Sequence, residues 1–300
     1  MSYKEEVVNF LNENTDLKPL TVKLYSIKLN QLHNDLGIKY TESFKDYNKI
    51  FNYIKDFSNS NKISFISSII TVLKDKKLIK IYQEQRNVIN KIKNDNYENN
   101  TKSDNFVDYD TLFNLYTKPD FSEDINIVLN RMLMYIAIRY PMRNDLANIE
   151  VAKKKSDMVN PNTNYLNINT KNAYFYMNKF KNVSSMGKMV VPIEKEDQKV
   201  IREYFKFLKK HKIESNKFLL TYHGGVNEFP TNDAFGRKLR LIFSYNFPKN
   251  NLSMNDIRKA YETKHINSEE YRTMTNKEKN IIHHKILHSM GVAHEVYNQV

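Results

Sequence analysis

The sequence has 300 residues, 40% of them apolar and 27% charged, with no cysteine. That length allows one large domain or two ordinary ones with packed cores, and the missing cysteines exclude disulfides, thiolate metal sites and thiol nucleophiles. A net charge of +13 and a pI near 9.4 point to a polyanionic partner, because each cation beside a phosphate releases a condensed counterion. Lys, Asn, Ile and Tyr are abundant, as in AT-rich coding, and that bias alone adds surface lysines. The distribution therefore decides: residues 151–250 hold 19 Lys/Arg against 8 Asp/Glu, whereas 101–150 and 251–300 are nearly neutral. An excess focused on one stretch suits a surface that faces a phosphate backbone.

The first ninety or so residues read as short amphipathic helices. Lys4–Asn14 carries Val7, Val8, Phe10 and Leu11, and Thr21–Leu36 carries Leu24, Ile27, Leu29 and Leu32 with Gly37 as its stop. Ser43 is expected to cap a third helix bearing Tyr47, Phe51, Tyr53, Ile54 and Phe57, and Ser64–Leu73 and Leu78–Ile92 complete the set. The polar string KNDNYENNTKSDNFV, residues 93–107, lacks apolar periodicity and reads as a linker. The expected division is a helical domain over 1–95, a linker over 96–107 and a second domain over 108–300.

In the second part, Tyr109–Tyr116 and the strongly apolar Ile125–Ile138 are expected to be helical. The period then changes. Tyr165–Asn169, Ala173–Phe180 and Lys188–Ile193 are rich in β-branched and aromatic residues and predict a small antiparallel sheet. Helices are expected again at Lys195–Lys210, Thr231–Phe243, Met254–His265 and Asn276–His288, with a short last one over Ala293–Asn298. The fold class is thus mainly α with a small antiparallel β-sheet in the second domain. There is no internal repeat, no apolar run near the ~18 residues of a membrane span, and no secretory layout in MSYKEEVVNF. Together these predict an intracellular location, with cytoplasm, nucleus or viral factory not distinguished.

Five residues stand out for chemistry. Arg143 follows the apolar helix in RYPMRNDLANIE, where Pro141 breaks the helix and a guanidinium can project as a planar fork onto a phosphate; pairing with Asp145 or Glu150 is the alternative. Lys181 sits at the end of a predicted strand, where the turn Asn182–Gly187 would leave it on a hairpin tip, and Lys179, two residues earlier on the same strand face, competes for the same role. Arg258 sits on a helix capped by Ser253 or Asn255, with Asn255 one turn before it on the same side. His288 precedes Tyr297 by nine positions in LHSMGVAHEVYNQV. A phenol with an ordinary pKa near 10 needs cationic neighbours to act as a nucleophile. His283, His284 and His288 have no carboxylate at a recognised metal-ligand spacing, and no HExxH is present. No metal and no cofactor are therefore expected.

In this order, an Arg after an apolar helix, a Lys on a hairpin, a helical NxxR, then His and Tyr nine apart, the motifs resemble those of the tyrosine recombinase, or phage-type integrase, family. The resemblance implies a two-domain architecture, a helical core-binding domain before a mixed α+β catalytic domain. It also implies site-specific cleavage and rejoining of double-stranded DNA without metal or ATP, by a dimer or tetramer assembled on DNA. Arg143 and Arg258 match the arginines that clamp the scissile phosphate, Lys181 the general acid, His288 the phosphate-binding histidine, and Tyr297 the nucleophile that becomes joined to a 3′ end. Lys153, Lys154, Lys155, Lys179, Lys188 and Arg237 are the expected backbone contacts. Two departures stand out. Asn255 occupies the place of the family's usual histidine and cannot shuttle a proton, and Pro-Met-Arg with Asp145 stands where Gly-Leu-Arg with a nearby Glu is usual. A type IB topoisomerase and a DNA-binding protein of recombinase descent that has lost catalysis are the alternatives. The AT-rich style suits a virus, phage or mobile element.

Overall fold

Most helices of the N-terminal part begin where a side chain absorbs an orphan backbone N–H. In a computed structural model, which describes residues 2–40, 44–98, 106–168, 172–213, 219–220 and 229–289, the chain divides into two compact units, Met1–Asn99 and Asn100–Val300. The first unit contains α1 (Tyr3–Asn14), α2 (Pro19–Leu36), α3 (Tyr47–Ile54), α4 (Asn59–Val72) and α5 (Lys76–Glu98). Ser2 and Glu5 close a capping box on α1. Pro19 starts α2, where its missing N–H costs nothing, and Gly37 ends it at φ +71, donating its N–H to His33 O.

The expected cap Ser43 lies outside the described residues; Asp46 caps α3 instead, accepting from the Lys49 N–H. Asp75 accepts from the N–H groups of Lys77 and Leu78 at the head of α5, and that helix runs to Glu98, six residues past the Ile92 end read from periodicity. Val7, Leu11, Leu29, Leu32, Ile50, Phe65, Ile66 and Ile69 form the core of this unit. The buried Tyr82 donates its hydroxyl to Phe44 O.

The second unit runs α6 (Tyr109–Leu115), α7 (Ile125–Arg139), β1 (Glu150–Ala152), β2 (Tyr165–Ile168), β3 (Ala173–Met177), α8 (Val183–Met186), β4 (Met189–Pro192), α9 (Lys195–Lys210), α10 (Asn232–Asn246), α11 (Met254–Ile266), α12 (Glu269–Thr273) and α13 (Asn276–His284). The expectation of an antiparallel sheet is corrected here. The order is β1-β2-β3-β4, and β1 pairs with β2 in parallel, Glu150 opposite Tyr165, while the other two pairings are antiparallel. The segment 153–164 between β1 and β2 is long enough to carry the chain back to the same edge, which a tight hairpin could not do. Strand β1 is only three residues long and gives no alternation to read.

Helix α7 is the centre of this unit. Met132 to Ile138 are all buried, as expected for a helix apolar on every side. Its C-terminal end is bolted to α9 by polar contacts. The buried Asp197 carboxylate accepts from the hydroxyls of Tyr135 (2.5 Å) and Tyr140 (2.7 Å) and pairs with Arg139 Nε at 3.2 Å. The Tyr140 hydroxyl also accepts from the Glu194 N–H at 2.9 Å. Among the described residues no helix is long and apolar enough to cross a membrane.

Tyr140→Phe removes both hydrogen bonds and leaves the buried carboxylate short of a donor. We expect a loss of about 1–3 kcal/mol, read by urea unfolding of the full chain. A loss under about 0.5 kcal/mol would mean that Asp197 does not depend on this hydroxyl.

Candidate active site

Arg143 stands at the corner where α7 ends. Tyr140 is the C-cap, Pro141 cannot donate to a further helical turn, and Met142 bends back to Tyr140 O at 2.7 Å. Arg143 then adopts φ +59, left-handed backbone that costs a non-glycine residue about 1–2 kcal/mol. It begins a 3-10 turn, Arg143–Leu146. Two neighbours hold that turn. Gly236 of α10 packs so closely that an added Cβ would meet the Asn144 amide at 3.0 Å. Asn148, itself at φ +58, exchanges two hydrogen bonds with the Phe229 backbone, each 2.7 Å.

Asn164 fixes the lysine turn against the same corner. Its amide oxygen accepts from the N–H groups of Asn178 (2.9 Å) and Lys179 (2.8 Å), and its amide nitrogen donates to Lys179 O (2.9 Å) and Asp145 O (3.3 Å). The backbone of Lys179 is thus pinned, and the chain turns so that Lys181 lines a cleft of about 440 Å³ with Arg143, Asn144 and Asp145. Lys179 is exposed and does not line it. The far wall is Asn232, Gly236 and Arg240 of α10, and the floor is Ser253, Met254 and Asn255 at the head of α11. Ser253 is the N-cap of α11, reciprocally paired with Asp256, so Asn255 lies in the first turn, one turn before Arg258.

Behind the cleft lies a buried polar cluster. The Arg258 side chain is fully buried. Its Nη1 donates to Pro141 O at 2.6 Å and Ile286 O at 2.9 Å, and its Nη2 contacts His288 Nε2. Arg143 Nη2 lies 3.4 Å from the same Nε2. The His288 Nδ1 is 3.4 Å from Glu262 Oε1, and Glu262 Oε2 is 2.8 Å from His283 Nδ1. Leu287, just before His288, also adopts positive φ, +60. Burial outweighs the neighbouring Glu262 and pushes His288 down to about 4, so the ring is neutral near pH 7. Burial likewise raises Asp145 to about 6, against the lowering fields of Arg143 and Arg258.

The structure therefore brings Arg143, Lys181 and Asn255 together around one cleft and sets His288 and Arg258 against Arg143 from behind. Arg258 does not line the cleft. Tyr297 lies outside the described residues. Lys153, Lys154, Lys155, Lys188 and Arg237 are exposed and lie away from the cleft. Lys153 lines a second cleft of about 630 Å³ with Arg202, Lys206, Lys209 and Lys212 of α9 and its end. Arg240 escaped the sequence reading, although Asn232, Gly236 and Arg240 follow each other at i, i+4 and i+8 and so share one helix face. Glu262 escaped it too, although it sits four residues after Arg258. Among the described residues no group of three or more His, Asp or Glu is arranged to hold a metal ion.

No protein-family model and no curated protein matches the chain. Among solved structures it is similar to a XerA recombinase, with 14% identity and a TM-score of 0.42 over 99% of this chain and 93% of that one.

Two outcomes follow from strain and burial. Arg143→Gly should be about 1 kcal/mol more stable than Arg143→Ala, because glycine accepts the left-handed backbone without cost; equal stabilities by urea unfolding would deny strain at this corner. The second concerns pH. His288 and His265, both pushed down to about 4 by burial, bind protons more readily unfolded than folded, so stability falls as pH drops from about 6.5 towards 4. Asp145, raised to about 6, works oppositely: it takes up a proton in the folded state first and offsets part of that loss below pH 6. The Asp145→Asn variant should therefore lose more stability than wild type between pH 7 and 4.5. Equal losses in denaturant titrations would show that Asp145 titrates normally.

Proposed function

We propose that this protein breaks and rejoins double-stranded DNA, with Tyr297 attacking a phosphodiester and residues 108–300 forming the catalytic domain. The observation that carries this reading is the cleft itself: Arg143, Lys181 and Arg240 reach it from three separate segments, with Asn255 on its floor. An open site with three convergent cations and few apolar groups suits a phosphate. His288 follows the α13 turn, and Tyr297 is nine residues further on, a tether of at most ~30 Å. His288 itself adjoins Arg143 of the cleft, so a tether of that length is enough for the role this reading gives the phenol.

In this reading the Tyr297 phenol gives up its proton to solvent as its oxygen bonds to phosphorus, the bond to the 5′ oxygen breaks, and Lys181 donates a proton to that leaving oxygen. Charge gathering on the non-bridging oxygens in the transition state is met by Arg143, held by its corner before the reaction begins, and by Arg240. The phosphotyrosine bond conserves the energy of the broken linkage, so attack by a 5′ hydroxyl reseals the strand. Residues 1–95 would grip the duplex and 96–107 connect the two domains, and strand exchange between two duplexes would need two or four copies on DNA. The exposed Lys153, Lys154, Lys155, Lys179, Lys188 and Arg237 contribute backbone affinity without sequence information.

A second reading, DNA binding without cleavage, is favoured by one observation. Arg258 spends its Nη1 on two carbonyls beneath the cleft, and Asn255 cannot exchange a proton. A nicked suicide substrate separates the two readings. The first expects a covalent protein–DNA adduct that Tyr297→Phe abolishes while binding persists; binding with no adduct supports the second.

The lysine role has its own test. Lys181→Ala should slow adduct formation by about 10²–10⁴-fold, and a substrate with sulfur in place of the leaving 5′ oxygen should restore it, since a thiolate leaves without protonation. If Lys179→Ala shows this pattern and Lys181→Ala does not, the two lysines exchange roles.

A further inference from the structure

Glu262 lies one turn after Arg258 on α11, and its side chain is fully buried. A carboxylate is out of water here only because donors surround it. The donors come from two other places: His283 on α13, with Nδ1 2.8 Å from Oε2, and His288, with Nδ1 3.4 Å from Oε1. Beyond them, the Tyr271 hydroxyl of α12 lies 2.6 Å from His283 Nε2.

The proton positions in this chain follow from chemistry. A guanidinium can only donate, so His288 Nε2, in contact with Arg258 Nη2 and 3.4 Å from Arg143 Nη2, must accept. The His288 proton is then on Nδ1, facing Glu262. The Glu262 carboxylate can only accept, so the His283 Nδ1 that lies 2.8 Å from it carries a proton, and Nε2 then accepts from the Tyr271 hydroxyl. One arrangement satisfies these contacts together: Tyr271 to His283 to Glu262 from one side, and Arg258 to His288 to Glu262 from the other.

We propose that Glu262 is a positioning residue for the cleft. It holds His288 as the neutral Nδ1–H tautomer, so that the Nε2 lone pair is aimed at the two arginines and sets where their guanidinia stand. Glu262 touches no substrate; it acts through His288, and Tyr271 and His283 brace it from behind. A buried carboxylate that orients an imidazole in this way is a recurrent device, and losing the carboxylate allows the wrong tautomer. The link to cleavage rests on the DNA-breaking reading above, whereas the tautomer does not.

The test therefore has two parts. Nitrogen-15 NMR of the full-length protein near pH 7, with the His288 signal assigned by its loss in His288→Ala, should report a protonated Nδ1 and an unprotonated Nε2. An Nε2–H tautomer in wild type overturns the proposal without any variant having to fold. In Glu262→Gln one amide oxygen must serve two Nδ1–H groups, and the amide N–H atoms repel the other. His288 should then lose its uniform Nδ1–H signal. DNA binding should stay within about twofold and adduct formation should fall by about 10- to 100-fold. Wild-type cleavage by a folded Glu262→Gln protein also overturns the proposal. If the wild type forms no adduct, the DNA-breaking reading fails, and the NMR result still decides the role of Glu262.

Discussion

The burial of the Arg258 guanidinium is the constraint around which the second unit is organised. Taking a cation out of water costs several kcal/mol unless donors and acceptors match. Each compensating group comes from a different stretch of chain: Pro141 O from the end of α7, Ile286 O and His288 from the segment after α13, and Glu262 from the next turn of α11. The energetic demand of one side chain thus ties three segments together. Arg143 needs this tie because its corner has no helix of its own to hold it. The corner is fixed where Pro141 O meets Arg258, where Asn144 meets Gly236, where Asn148 meets the Phe229 backbone, and where Asn164 reaches Asp145 O.

Strain falls on both ends of that tie. Arg143 and Leu287 each adopt left-handed backbone that an unbranched glycine would take freely. Local preference alone would straighten both, so the surrounding contacts over-determine them, as is common where a side chain must be aimed rather than merely packed. Arg143 can be aimed into the cleft because Arg258 bears the structural work behind it. The two arginines, similar as sequence signals, therefore divide the labour: one is half-buried and points into the cleft, the other is fully buried and holds the frame.

The sequence makes some of this legible and hides the rest for definite reasons. The bounds of α9 were readable to the residue because its apolar stripe, acidic first turn and basic last turn agree. Ser253 was readable as a cap of α11, and the i, i+4 spacing of Arg258 and Glu262 was there to be seen. The parallel pairing of β1 was not readable. Three residues carry no period, and register between residues fifteen positions apart is a tertiary property. Lys181 and Lys179 could not be separated by strand alternation, because β3 stops at Met177 and both lysines lie beyond it. What separates them is Asn164, a polar residue between two strands whose four hydrogen bonds no local pattern announces. The burial of Arg258 was invisible for a similar reason: a helical arginine is ordinarily a surface residue, and only the three-dimensional convergence of carbonyls makes an interior one tolerable.

The two kinds of cation also answer differently to their surroundings. Lys181 and Arg240 border open solvent, as do Lys153, Lys154 and Lys155, and at physiological ionic strength their fields fade over about 8 Å. Such charges are weakened by salt and act mainly in combination. Arg258 is removed from solvent, so its charge reaches Asp145 and His288 with little screening: it lowers both, adding to the effect of burial on His288 and opposing it on Asp145. The buried cation therefore contributes to the potential around the cleft whatever the salt, while the fields of the exposed ones depend on it. The charge excess of the chain lies mostly in residues 151–250, whereas Arg258 stands outside that stretch and is fully buried, so the screened and the unscreened cations come from different parts of the sequence.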